Sequence, residues 1–255
     1  MCGRMTLTRS PEEIVEFFAL EPAVSPARAE AADVASARLS GPAGRPLRSR
    51  YNIAPSQPVL TVVAGEKSRR AFDWKVWGLV PGWARDPSMG GKLFNARAET
   101  VAEKPSFRSA FKRRRCLVVA DGFYEWTPRD RGHRAHWLHP RQAPLLAFAG
   151  LHEHWSVEAG PVIESCTVIT TEANGDLAGI HARMPVVLSP DCWAAWLDPG
   201  SEPGILQGLL GPAPDGTLEA RRVGTRVNDP RHDDPACLEA SPDEDLFRLD
   251  GERSR

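Results

Sequence analysis

The segment RCLVVADGFYEW, residues 115–126, joins a run of apolar and β-branched side chains to a polar end. The apolar part predicts a buried strand, because β-branched and aromatic residues favour extended structure. Glu125 directly follows that part and stands between two aromatic residues, Tyr124 and Trp126. Polar residues at the ends of buried strands commonly belong to functional sites. The segment therefore predicts both a core strand and an acidic site residue.

Similar runs elsewhere predict a fold made mainly of strands. Helical patterns are fewer, and the clearest starts at Ser10, where Glu13 completes a capping box. Many short strands with few helices predict one α+β domain around a curved, largely antiparallel, barrel-like sheet. The further strands are predicted at residues 58–64, 72–80, 143–155, 166–173 and 184–189, and the helices at 10–20, 100–114 and 189–198.

Composition is that of a soluble globular protein. Of the 255 residues, 42% are hydrophobic and 25% are charged, and both values are ordinary for that class. No apolar run reaches the ~18 residues of a membrane-spanning helix, and the N-terminus lacks the pattern of a secretory signal peptide. We therefore expect a cytoplasmic protein that does not associate with a membrane.

The five cysteines are widely spaced and odd in number, which fits neither a disulfide framework nor a CxxC metal site. Reduced thiols are expected instead. The nearest approach to a metal-ligand motif is the pair His152 and His154, and no third ligand accompanies it in the sequence. We therefore predict neither a metal nor another cofactor.

One domain is predicted over residues 2–240, with segments of distinct composition. Residues 21–48 are rich in Ala, Pro, Gly and Ser and are expected to form a surface insertion. Residues 241–255 are acidic and are expected to form a mobile tail. Residues 104–115 hold six basic residues and no acidic one. Such a run is typical of a solvated helix face and also suits contact with a phosphate backbone.

The N-terminal sequence MCGRM, residues 1–5, places a cysteine in the second position. If Met1 is removed, Cys2 carries a free α-amine and a thiol on adjacent carbons. Ordinary pKa values of ~7.7–8.0 for the amine and ~8.5 for the thiol leave part of each group deprotonated near neutral pH. Cys2 is therefore a candidate nucleophile with two reactive groups.

Polar side chains also alternate in NARAET, residues 95–100, and in HARMP, residues 181–185. Residues two apart lie on the same face of an extended chain, so each stretch presents its polar groups together. With Cys2 and Glu125 they provide a nucleophile, a carboxylate, an imidazole and an amide. The side chains concerned are Asn95, Arg97, Glu99, His181 and Arg183.

Each candidate also has an ordinary structural explanation. Glu125 is compatible with a surface carboxylate, and His181 with a core histidine bonded to backbone. Trp77, Trp83 and Trp126 fit either exposed aromatic platforms or core packing. A Cys, His and Glu set also suits a thiol protease, although the sequence around position 2 lacks the papain and caspase signatures.

A series of motifs follows along the chain: MCGRM, RYNIAPSQ, WGLVPGWA, NARAET, FRSAF, RRCLVVADGFYEW, TTEAN and IHARMPVVL. In this order they resemble the SRAP (SOS response-associated peptidase) family. The strength of the resemblance comes from the whole set, since no single motif is specific. It extends from residue 2 to about residue 198 and continues weakly through VNDPRHDDPACLE.

The resemblance implies a sensor of abasic sites in single-stranded DNA, found in the cytoplasm and at the nucleoid when DNA is damaged. The amine of its N-terminal cysteine would form an imine with the sugar aldehyde, and the thiol would close a thiazolidine. A monomer is expected. By the same resemblance, the catalytic residues are Cys2, Asn95, Glu125 and His181. The DNA-binding residues are Arg4, Asn52, Pro55, Trp77, Arg97, Trp126 and Arg183.

Two alternatives use the same residues. A thiol peptidase would use Cys2 to remove Met1 or a short leader. A non-covalent reader of single-stranded or modified DNA would use only the arginines and tryptophans, and its binding would fall steeply with salt. Residues after 198 match the family poorly, so no DNA contact is assigned there.

Overall fold

Residues 2–18, 39, 47–65, 70–128, 133–157, 160 and 162–241 are described by the computed structural model of the chain. The insertion predicted at 21–48, apart from residues 39, 47 and 48, lies outside these residues. So does the tail predicted at 241–255, apart from residue 241. No helix in the described part of the chain is long and apolar enough to cross a membrane.

Five strands form a closed barrel. They are β3 (Pro58–Ala64), β4 (Arg70–Trp77), β6 (Arg115–Ala120), β9 (Leu146–Ser156) and β10 (Val162–Glu172). The order is β10–β4–β3–β6–β9, and β9 pairs back onto β10. Neighbours are antiparallel except β4 and β10, which run parallel. Closure leaves this sheet with few exposed edges.

Two short strands flank the C-terminal half of β10. β5 (Asn95–Arg97) pairs with it in parallel, with Asn95 opposite Val168. β11 (Arg183–Pro185) pairs with it antiparallel, with Arg183 opposite Glu172. The two polar stretches NARAET and HARMP therefore meet at one end of the barrel.

A second sheet is antiparallel and carries the N-terminus. Its strands are β1 (Met5–Leu7), β2 (Arg50–Ile53), β7 (Gly122–Pro128), β8 (His133–Pro140) and β12 (Leu218–Val223), in the order β12–β8–β7–β1–β2. Phe123 of β7 packs edge-to-face on Phe148 of β9, with ring centroids 5.8 Å apart. The two sheets share one main apolar core. The predicted α+β class with a largely antiparallel, barrel-like sheet is confirmed.

Four α-helices flank the sheets within the described residues: α1 (Pro11–Phe17), α2 (Arg108–Arg113), α3 (Pro190–Leu197) and α4 (Pro203–Gly208). The predicted capping box of α1 is present between Ser10 and Glu13. Only the end of the helix predicted at 100–114 forms, as α2, and hydrogen-bonded turns precede it. Pro105 explains the difference, because proline lacks an N–H and disfavours helical geometry in the residue before it.

The segment RCLVVADGFYEW forms two strands rather than the single strand predicted. β6 ends at Ala120 and β7 begins at Gly122, so Asp121 marks the passage from the barrel to the second sheet. The Asp121 carboxylate accepts hydrogen bonds from Thr6 Oγ1 and from the backbone N–H and Oγ1 of Thr8. The Asp–Gly pair, a common turn dipeptide, was the signal for this break.

Gly122 allows β7 to lie close to β8. A Cβ placed on Gly122 would come within 2.3 Å of Trp137 Nε1 and 2.9 Å of the Leu138 carbonyl oxygen. Trp137 Nε1 also donates to Thr6 Oγ1 at 3.2 Å. A glycine at 122 therefore lets the tryptophan reach the N-terminal strand.

We expect Gly122→Ala to lower the free energy of unfolding by about 1–3 kcal/mol, because the added methyl overpacks a buried contact. Chemical denaturation measures this change. Gly204→Ala is the matched control: its Cβ would meet no atom within 4 Å, so alanine should leave stability unchanged or raised. Equal stabilities for the two variants would contradict the packing described.

Candidate active site

The N-terminal strand is held between two partners that bring residue 2 to the site. β1 pairs with β7 through Met5–Phe123 and Thr6–Gly122, and with β2 on its other side. The Tyr124 N–H continues the ladder by donating to the Arg4 carbonyl at 2.9 Å. This register directs the chain before Arg4 toward the part of β7 that carries Glu125.

Cys2 is buried, with none of its surface exposed. Asn95 Nδ2 donates to the Cys2 carbonyl oxygen at 2.6 Å, and the pairing of β5 with β10 fixes Asn95 in place. Asn95 Oδ1 is also buried and has no hydrogen-bond partner among the described residues. Asn95 therefore holds the backbone of Cys2 through Nδ2, and its Oδ1 is a buried hydrogen-bond acceptor next to this contact.

Glu125 and His181 form the other half of the site. The Glu125 side chain is only 3% exposed, and its Oε1 lies 4.0 Å from His181 Nδ1. The Arg183 backbone N–H donates to His181 Nδ1 at 2.9 Å and orients the ring. Burial raises the pKa of the Glu125 carboxyl, and the positive charge that His181 acquires on protonation opposes the rise. The structure thus brings Cys2, Asn95, Glu125 and His181 together.

The Cys2 thiol differs from its sequence-based expectation. Burial raises its pKa well above the ordinary thiol value, and the nearby Glu125 charge raises it further. The thiol is therefore protonated at neutral pH rather than partly ionised. Any addition by this sulfur requires a base to take its proton, and Glu125 is a carboxylate whose charge acts on the thiol.

Arg4 and Asn52 belong to the framework of the site. Arg4 Nη1 donates to Asn52 Oδ1 at 2.6 Å and to the Val227 carbonyl at 2.7 Å. Its guanidinium lies 5.6 Å from the centre of the Trp126 ring. Asn52 is fully buried, and its amide donates to backbone carbonyls at 227, 229 and 232. These contacts do not support the DNA contact predicted for Asn52, since a buried and fully bonded amide does not reach a ligand.

The remaining arginines differ in availability. Arg97 is exposed and forms no salt bridge with any described residue. Arg183 makes two hydrogen bonds to the Glu99 carboxylate, at 2.5 and 3.0 Å, and a third to the Thr170 carbonyl. Pro55 is half-buried in the turn after β2. Arg97 is therefore more accessible to a ligand than Arg183.

Trp77 does not occupy a position from which it can stack on a base. It is fully buried, and its Nε1 donates to the Phe94 carbonyl at 2.8 Å. Trp126 is half-buried, and its Nε1 donates to Asn228 Oδ1 at 2.8 Å. All eight tryptophans are described, and Trp83, at 60%, is the exposed one. The Pro81–Gly82 turn before Trp83 was the signal that it leaves the strand.

Sequence analysis missed the contribution of the C-terminal segment. Asn228 and the Val227 carbonyl contact Trp126 and Arg4 from the 3-10 helix Thr225–Asn228. Asp233 fastens this segment to β2 by accepting from the backbone N–H groups of Tyr51 and Asn52. The weakly matching VNDPRHDDP stretch was the available signal.

The described residues contain no group of three His, Cys, Asp or Glu side chains that is able to hold a metal ion. Burial lowers the pKa of His152 to about 4. His154 Nδ1 lies 2.5 Å from Glu164 Oε1, whose carboxylate also binds the buried Lys75. The two histidines thus border a polar cluster that already contains a cation.

The family model described as SOS response associated peptidase (SRAP) matches residues 1–230. The chain is 37% identical over 242 residues to "Abasic site processing protein YoqW" of Bacillus subtilis (strain 168), covering 94% of this chain and 100% of that protein. It is 34% identical over 223 residues to "Abasic site processing protein HMCES" of Gallus gallus, covering 75% and 66%. A crystal structure of a Bacteroides thetaiotaomicron protein shares the fold, with a TM-score of 0.77 at 21% identity over 94% of this chain and all of that one. The chain belongs to the SRAP family.

Proposed function

We propose that this protein processes abasic sites in single-stranded DNA by forming a covalent crosslink through Cys2 after removal of Met1. The observation that carries the proposal is the convergence of Cys2 with Asn95, Glu125 and His181. The names of the curated relatives support the choice of abasic DNA as substrate. Met1 must be absent, because an acylated Cys2 nitrogen is an amide and cannot condense with an aldehyde.

The proposed reaction proceeds in two bond-forming steps. The Cys2 amine adds to the aldehyde carbon of the ring-opened sugar and eliminates one water, which gives an imine. The Cys2 sulfur then bonds to the imine carbon, and a proton reaches the nitrogen, which closes a five-membered thiazolidine. The ring removes the C=N bond that would otherwise promote strand cleavage by β-elimination. The expected product is therefore a durable crosslink with an intact strand.

Glu125 is the proposed proton carrier for both steps. Its raised pKa suits a carboxyl that accepts and donates protons closer to neutral pH than an ordinary glutamate does. Its charge raises the pKa of the Cys2 thiol, and this influence supports Glu125 as the proposed acceptor of the thiol proton. His181, whose Nδ1 lies 4.0 Å from Glu125 Oε1, is proposed to assist opening of the sugar ring. Asn95 is proposed to hold Cys2 in line with the aldehyde.

Arg97, Trp83 and Trp126 are the proposed DNA contacts that the structure leaves accessible. Arg97 is exposed beside Asn95 on β5, which suits a phosphate next to the abasic site. The exposed indole of Trp83 suits stacking on a neighbouring base, an interaction that tolerates any sequence, and the half-buried Trp126 offers part of its ring for the same contact. Damage can arise at any position in DNA, so a sensor benefits from this tolerance.

Cys2→Ser is expected to abolish the denaturant-resistant adduct with an abasic strand, because oxygen does not close an equally stable ring. Denaturing gels and intact mass measure adduct formation, and the same spectra report whether Met1 is removed. Cys192→Ser is the control, since Cys192 is a free thiol that is partly exposed, whereas Cys2 is buried. An adduct that persists at wild-type yield in Cys2→Ser would refute the mechanism.

The pH dependence of crosslinking should reveal the Glu125 carboxyl. We expect the wild-type rate to fall as pH drops through an inflection above the ordinary glutamate pKa of ~4.3, because the carboxylate is the form that accepts the thiol proton. Glu125→Gln should lose this inflection and slow the reaction by about 100-fold or more. The change in rate that follows deprotonation of the Cys2 amine, near pH ~8, should remain in both proteins and serves as an internal reference. A wild-type pH–rate profile with no inflection at a pH below that of the amine would count against proton transfer by Glu125.

The two tryptophans of WGLVPGW should respond differently to substitution. Trp83→Ala is expected to weaken binding of single-stranded DNA by about 1–3 kcal/mol, the usual value of one stacked base, with stability preserved. Trp77→Ala is expected to destabilise the fold by about 3–5 kcal/mol, because it empties a buried site. Fluorescence anisotropy and chemical denaturation separate these effects. Unchanged DNA affinity in Trp83→Ala would remove it from the proposed DNA surface.

A further inference from the structure

Helix α2 and the turn before it carry basic side chains that the proposed reaction does not use. Lys104, Arg108 and Lys112 follow one another at intervals of four residues, and all three are exposed. Side chains four apart on a helix are neighbours, about 5–6 Å between Cβ atoms. The opposite face packs into the core through Phe107 and Phe111. We call Lys104, Arg108 and Lys112 the basic stripe.

The basic stripe keeps its positive charge uncompensated. None of its three members forms a salt bridge with a described residue, whereas nearby Arg114 is bound by Glu153 at 2.7 Å. The whole chain has a net charge of −1, so attraction to a polyanion depends on such local concentrations of charge.

The basic stripe is continuous with the candidate active site. Three successive backbone hydrogen bonds lead from Arg97 through Thr100 and Lys104 to Arg108, with N···O distances of 3.1, 3.0 and 2.9 Å. Arg97 itself lies two residues after Asn95, whose amide binds the Cys2 carbonyl. Successive hydrogen-bonded turns therefore connect Arg97, beside the site, to the basic stripe on α2.

An exposed aromatic side chain lies at the start of the stripe. Trp83 Nε1 donates to the Pro105 carbonyl at 3.4 Å. Pro105 directly follows Lys104 in the chain, so the indole, which is 60% exposed, lies at the start of the stripe. Surfaces that bind single strands combine a basic track for the backbone with aromatic rings for the bases. An acidic protein partner would need the charge but not the indole, so the pairing favours nucleic acid.

We propose that the basic stripe binds the phosphates of the strand that flanks the abasic site, with Trp83 stacking on a base at the start of the stripe. The proposal rests on the proposed function, because the crosslink fixes the strand whose flank the stripe would follow. The stripe then contributes affinity for long strands and takes no part in the covalent chemistry.

The test compares two charge-matched triple variants. One neutralises the stripe (Lys104→Gln, Arg108→Gln, Lys112→Gln), and the control removes three exposed arginines elsewhere (Arg9→Gln, Arg48→Gln, Arg141→Gln). Non-covalent affinity is measured against salt on a strand of about 20 nucleotides with a tetrahydrofuran abasic analogue, which has no aldehyde. Crosslinking is measured separately on an aldehyde-containing strand of about 5 nucleotides, too short to reach along α2.

We expect the stripe variant to flatten the slope of log K against log salt by about 2, since each lost phosphate contact on a single strand contributes about 0.7. The control variant should keep the wild-type slope, and both variants should crosslink the short strand at the wild-type rate. The charge-retaining variant (Lys104→Arg, Arg108→Lys, Lys112→Arg) should restore the slope, which excludes a folding defect as the cause.

A stripe variant with the slope of the wild type, or of the control, would overturn the proposal and assign α2 to another partner. Failure of the wild type to crosslink either strand would instead refute the proposed function. The tetrahydrofuran strand still measures the stripe in that case, so the two failures are distinguishable.

Discussion

The site depends on the hydrogen bonds that the Asp121 carboxylate accepts. This carboxylate accepts three hydrogen bonds from Thr6 and Thr8 at the point where the chain leaves the barrel for the second sheet. These bonds set the register of β1 against β7, and that register carries Cys2 to Glu125. A slip of one residue would turn every side chain of β1 to the opposite face. Cys2, the proposed nucleophile, is thus positioned by the pairing of the strand that follows it.

Burial determines how readily Cys2 and Glu125 gain or lose a proton. The enclosed position raises the pKa of both the Cys2 thiol and the Glu125 carboxyl, so each group keeps its proton to a higher pH than it would in water. A neutral thiol beside a carboxyl with a raised pKa is suited to proton exchange between the two when a substrate enters. The same enclosure would protect the proposed imine from hydrolysis.

The fold class was predictable because it depends on local patterns. The run at 58–64 coincides with β3 (Pro58–Ala64), and the capping box of α1 forms as predicted. The strand predicted at 72–80 ends at Trp77, since Gly78 adopts a φ of +141° that few other residues tolerate. Strands β8 and β12 were not predicted, because their basic and polar residues alternate weakly and they are stabilised by pairing with each other and by pairing of β8 with β7.

The candidate site was predictable as a set of residues but not as a set of roles. The spacing by two in NARAET predicted an extended chain, and Asn95–Arg97 forms strand β5 beside β10, whereas in HARMP His181 lies just before strand β11. Nothing local shows that Trp77 is fully buried against the Phe94 carbonyl, or that Asn52 is buried under residues 227–232. Both features arise from contacts between segments distant in sequence. The C-terminal segment contributes to the site for the same reason and was likewise not predicted.

The most direct test of the central claim is the intact mass of the wild-type protein after incubation with a single-stranded oligonucleotide that holds one abasic site. An undamaged strand serves as the control. The account predicts one new species on the abasic strand only, with the mass of the protein without Met1 plus the DNA minus one water. Proteolysis should then locate the added mass on the N-terminal peptide that begins with Cys2. A protein that lacks Met1 yet shows no such species, or an adduct located on any other peptide, would contradict the account.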